Sequence, residues 1–154
     1  MATQYTAGLS SGQVLTAATM NSIGAVWESY VPAWTGSTTN PAIGNGFIEG
    51  RYCRIQKLVI VNGYIIPGST TTYGSGTYRV SLPITALSSN GAMGYATVFD
   101  ASAGYIAYSG LATQVTTSTI EFRLGNATGI FSPTVPITFT NADQLRFTLV
   151  YEAA

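Results

Sequence analysis

Apolar and polar residues alternate strictly over three stretches of this chain. Over 77–82, Tyr78, Val80 and Leu82 fall on one side and Thr77, Arg79 and Ser81 on the other. Over 119–124, Ile120, Phe122 and Leu124 oppose Glu121 and Arg123; over 145–151, Leu145, Phe147, Leu149 and Tyr151 oppose Arg146 and Thr148. A period of two belongs to a strand with one buried and one solvated face. Denser apolar runs cover 47–55 and 58–66, split by a turn at Gln56-Lys57. Two more, 95–99 and 105–111, flank the loop Asp100-Ala-Ser-Ala-Gly104, which predicts a hairpin. Between these runs stand Gly44-Asn45-Gly46, Pro67-Gly68-Ser69, Gly74-Ser75-Gly76 and Ser88-Ser89-Asn90-Gly91, all turn compositions.

Seven or eight short strands, with no helical period between them, predict an all-β fold. The expected form is a jelly-roll-like antiparallel β-sandwich over 31–154. No internal repeat points to a propeller or solenoid.

The first thirty residues read differently. Residues 1–12 are small and polar, with Tyr5 and Leu9 as the only large apolar side chains apart from Met1. Such a segment is expected to gain order by lying against another protein. Then Met20, Ile23, Trp27 and Tyr30 recur at spacings of three, four and three, which predicts a short helix over 16–30. Thr16 is a suitable N-cap, Gly24 costs about 1 kcal/mol relative to Ala, and Pro32 blocks continuation. Two packings fit the apolar seam: against the chain's own sandwich, or against symmetry mates around a three-fold axis. Residues 1–30 are thus expected to be an attachment arm and helix.

Composition narrows the chemistry. The chain has 154 residues, enough for one domain with a core that needs no metal or disulfide. Charged residues are 8%, about a third of the usual ~25%, and net charge is zero. No electrostatic footprint for nucleic acid or an anionic membrane exists. So little surface charge suits a protein covered by copies of itself. The single cysteine, Cys53, is expected to be a buried inert thiol.

The absence of histidine removes Ser/His/Asp catalysis and the common zinc sites. A Ser/Lys variant would depend on Lys57, the only lysine. Glycoside hydrolysis wants two carboxylates flanking a groove. The six acids, Glu28, Glu49, Asp100, Glu121, Asp143 and Glu152, lie on separate elements and read as solvated charges. Glu49 and Arg51 are two apart on one strand and suit a surface pair. Calcium at Asp100 or Asp143 has no ligand spacing behind it. No catalytic residue, metal site or cofactor is predicted. Sugar recognition has more support: Trp34, Tyr73, Tyr105 and Tyr108 lie in or near loops rich in Asn, Asp and Thr. The competing role for these four is core or subunit interface.

The segment 34–83 carries a resemblance. Its elements are Trp34, Gly44-Asn45-Gly46, Gly50-Arg51-Tyr52, Arg54-Ile55, Gly74-Ser75-Gly76 and Ser81-Leu82-Pro83, preceded by SGQVLTAATMN and Glu28-Ser29-Tyr30-Val31-Pro32. With the ending Leu149-Val150-Tyr151-Glu152-Ala153-Ala154, the chain resembles small β-domain virion proteins of tailed bacteriophages. These are head-fibre or capsid-decoration proteins, or minor tail and tail-fibre proteins. Gln56 departs from the pattern, which has Gly before Lys57.

The resemblance implies a trimeric, non-enzymatic knob on a virion surface. Tyr5, Leu9, Met20, Ile23, Trp27 and Tyr30 would then mediate attachment and self-association. The partners expected are other copies of the chain and the major capsid protein or another virion protein, without nucleic acid or membrane. A tail-tip module binding a host surface glycan is the alternative. The chain lacks the basic and apolar regions of a signal peptide and any apolar run of ~18 residues. It is therefore expected to be made in the host cytoplasm and to reach the virion by assembly.

Overall fold

The computed structural model describes residues 12, 14, 16, 17, 26–88, 91–125 and 129–154. Among the described residues nine strands follow one another: β1 (Glu28–Tyr30), β2 (Trp34–Gly36), β3 (Phe47–Ile55), β4 (Leu58–Ile66), β5 (Tyr78–Ser81), β6 (Ala92–Asp100), β7 (Ile106–Thr116), β8 (Thr119–Leu124) and β9 (Gln144–Glu152). The fold is all-β and antiparallel throughout. The strands with clear alternation appear where the pattern puts them, and the 47–55 and 58–66 runs coincide with β3 and β4.

All nine strands lie in one hydrogen-bonded sheet, ordered β1-β3-β4-β9-β6-β7-β8-β5-β2. This differs from the separate stacked sheets of a jelly roll. The cause is β9, which inserts between β4 and β6 and joins the β3–β4 and β6–β7 hairpins edge to edge. The sheet instead curls on itself into an open half-barrel. Three strand spacings separate β8 from β9, about 14 Å in a flat sheet. Yet the rings of Phe122 on β8 and Phe147 on β9 are 5.5 Å apart, so they meet across the concave side.

That concave side is the core. Val59, Val61, Ile65, Val80, Ile120, Phe122, Leu145 and Leu149 are fully buried there, with Phe131 and Phe139 supplied by the 129–143 connection. Trp34, Tyr73, Tyr78, Phe131 and Phe139 form an edge-to-face aromatic cluster with centroids 5.0–6.4 Å apart. Such pairs add about 0.5–1.5 kcal/mol each beyond area burial. One row across the concave face mixes large side chains with small residues: Tyr30, Gly50, Gly63, Phe147, Ala96, Gly110 and Leu124 are successive cross-strand partners. The missing side chains give the rings of Tyr30 and Phe147 room to lie over Gly50 and Gly63.

The helix expected over 16–30 is not what forms at its C-terminal end. Residues 28–30 are β1, paired with Tyr52, Arg51 and Gly50. The glycine at position 50 offers Tyr30 a place on the sheet, and Tyr52 donates a 2.7 Å hydrogen bond to Glu28. Most of the remaining helix, including Met20 and Ile23, lies outside the described residues, as do Tyr5 and Leu9 of the arm. Cys53 is a buried free thiol. Among the described residues no helix is long and apolar enough to cross a membrane.

Candidate functional site

The convex side of the sheet carries the alternate side chains, and its centre is built from two adjacent rows. The first runs Arg51, Asn62, Thr148, Tyr95, Leu111 from β3 through β4, β9 and β6 to β7. The second runs Glu49, Tyr64, Arg146, Thr97, Ser109 across the same strands. Strand positions hold each side chain in place, so a polar and aromatic belt crosses five strands.

Lateral hydrogen bonds order the belt. Tyr64 donates to Glu49 Oε2 at 2.7 Å, Thr148 donates to Asn62 Oδ1 at 2.9 Å, and Thr97 and Ser109 hydroxyls are 2.8 Å apart. The bond to Glu49 raises the Tyr64 phenol above its ordinary pKa, with burial adding to it. Arg146 donates from Nε to Gln144 Oε1 at 3.0 Å, and its guanidinium stands 5.9 Å from the centre of the Phe99 ring. Glu49 therefore bonds Tyr64 rather than the expected Arg51. Among the described residues the ion pair within 4 Å is Arg123–Glu121, at 2.9 Å.

Over this belt lies a groove of about 530 Å³. The backbone of Gly50 and Gly63 contributes to its floor, Tyr95 and Phe99 stand on one side, and Trp27 reaches in from before β1. The volume is within the ~300–1,000 Å³ range of small-ligand sites. Among the described residues Glu49 is the one carboxylate in the lining, against the guanidiniums of Arg51 and Arg146. The paired carboxylates of a glycoside hydrolase are not assembled here.

The residues proposed from the sequence distribute differently. Trp27 and Tyr30, three apart on the expected helical seam, fall on opposite faces of the sheet. Trp27 lines the convex groove, 38% exposed, and Tyr30 packs against the core beside Tyr52. Strand geometry explains it, since an i, i+3 pair shares a face in a helix and not in a strand. Burial drives the Tyr30 phenol well above its usual pKa.

The four aromatics proposed for sugar contact do not converge. Trp34 is 6% exposed and packs on Tyr78 and Phe139, which makes it core. Tyr73 leans on the same Phe139. Tyr105 is exposed at the β6–β7 loop with φ of +63°, and Tyr108 is half-buried within β7. The groove residues were outward positions of strands whose neighbours the sequence does not name.

Two acids read as solvated are buried. Asp143 accepts from the amides of Ala101 (2.8 Å) and Thr140 (2.7 Å) and from the Thr140 hydroxyl (3.1 Å), tying the β6–β7 loop to the start of β9. Glu121 sits on β8 between its cross-strand partners Arg79 and Thr113. Among the described residues no cluster of three or more potential metal ligands occurs.

Comparison with protein-family models, with curated proteins and with solved structures gave no match in any of the three.

Proposed function

We propose that this chain is a structural protein of a bacteriophage virion, a trimeric knob on the capsid surface attached through its N-terminal segment. The observation that carries the proposal is an exposed apolar end of the convex face, beyond the groove. Ile55, Leu58 and Val150 are 40–51% exposed at outward positions near the β3–β4 turn, and none of them lines the groove. A solvated face of a monomer is normally polar, and large apolar patches mark contact surfaces. Only 8% of residues are charged, which suits a molecule that spends its working life packed against other proteins. Both sheet edges, β1 and β2, are three residues long, so open-ended strand addition is discouraged while face-to-face contact is not. Burial against neighbours at roughly 25 cal/mol per Å² of apolar surface supplies the adhesion.

The sequence resemblance to phage head-fibre, decoration and tail proteins gives this contact face its setting. A tail-tip location is the second reading, favoured by the aromatic and arginine-bearing groove. Mass spectrometry of gradient-purified virions tests the proposal: the protein should co-purify in fixed stoichiometry with the major capsid protein. Its absence from particles, with the protein present in the infected-cell lysate, would overturn the assignment.

A further inference from the structure

We propose that the convex groove is a binding site for an acidic saccharide, one whose sugar rings carry carboxylates. The inference extends the surface-knob reading and rests on it only for the exposure of this face in the assembled particle. Arg51 on β3 and Arg146 on β9 flank Asn62 and Tyr64 of β4, so two guanidinium groups project from the same face with one strand between them. Among the described residues no carboxylate lies within ion-pair distance of either, although Glu49 shares the groove. Its carboxylate already accepts from Tyr64. Arg146 is held by Gln144 and Phe99 through its Nε and its π-face, which leaves the terminal amino groups available to a ligand. Guanidinium forks match carboxylates in two parallel hydrogen bonds.

The rest of the lining suits a sugar ring. Tyr95 is 59% exposed and Trp27 38%, both lining the groove, where they offer aromatic surface to the apolar face of a pyranose. The Asn62 amide provides donors toward ring hydroxyls, since its oxygen is taken by Thr148. The chain as a whole is neutral, so the groove's excess of one positive charge is local. A polynucleotide would need a longer basic track than two arginines.

The test uses the purified full-length chain and isothermal titration calorimetry with two probes, oligogalacturonate and polysialic acid, each beside its carboxyl-reduced neutral counterpart. Binding to at least one acidic probe is expected, with at least a tenfold loss when its carboxyls are reduced. Arg51→Gln and Arg146→Gln should each weaken binding about tenfold, and Tyr95→Ala likewise. Arg123→Gln, outside the groove, should leave it unchanged. Tyr95 and both arginines are exposed, and an unchanged circular dichroism spectrum verifies the fold of each variant. No binding to either acidic probe would overturn the proposal, as would equal binding of the neutral forms or equal loss in Arg123→Gln. These results are independent of virion association, so a saccharide-binding chain missing from particles would overturn the virion assignment alone.

Discussion

Phe147 on β9 lies over Gly63 on β4, its direct cross-strand partner, and its ring fills the space that a side chain at position 63 would take. The same ring meets Phe122 from the far side of the curled sheet. Gly63 thus links the curvature of the half-barrel to the groove floor, since its backbone lines the convex side. Replacing it with alanine should cost about 1–3 kcal/mol through overpacking. Urea denaturation would show it, and adding Phe147→Leu should recover part of the loss through coupling of the two sites.

The hairpin between β3 and β4 turns at Gln56, which has φ of +56°. This region disfavours any residue with a Cβ, and a two-residue hairpin with positive φ at its first central position prefers glycine there. Gln56→Gly should therefore stabilise the protein by about 0.5–1 kcal/mol, the relief of strain exceeding the glycine's entropy cost. A raised urea midpoint with an unchanged slope is the expected outcome.

Asp143 is 1% exposed and accepts three hydrogen bonds. Asp143→Ala should leave the part-buried amides of Ala101 and Thr140 without their acceptor and lower stability by about 1–3 kcal/mol. Amide exchange should accelerate at Ala101 and Thr140 before it does in β9.

Burial holds the phenols of Tyr30 and Tyr78 well above their usual pKa and pushes Tyr151 up to about 12. A phenol with a higher pKa folded than unfolded keeps more protons in the native state once pH exceeds about 10. Its stabilisation is complete below that pH and is lost as pH climbs through the folded value. The urea midpoint should be flat from about pH 7 to 9.5 and fall steeply between about 10 and 12. Tyrosinate absorbance should lag that of the unfolded chain. A midpoint that stays level through pH 12 would contradict this burial.

What the sequence revealed was local. Alternation at 119–124 and 145–151 placed Phe122 and Phe147 inward, because a half-buried strand writes its period into the chain. Which strands are neighbours was not legible. The β4–β9 pairing joins Asn62 to Thr148, and no periodicity reports contact across 86 residues. The groove depends on that pairing, so Arg51 and Arg146 could not be brought together beforehand. Trp27 and Tyr30 misled for a related reason: three strand residues hold too few positions to overrule a helical spacing, and it was Gly50, distant in sequence, that admitted Tyr30. Trp34 looked accessible beside a polar loop, while the partners that bury it, Tyr78 and Phe139, lie far along the chain.

Immunogold labelling of purified virions most directly tests the proposed display of this protein on a phage particle. Gold distributed over the capsid is the predicted result. Gold confined to the tail tip would contradict capsid decoration and move the knob to the receptor-binding end. Particles without label, under conditions where denatured virions react with the same antibody, would contradict surface display itself.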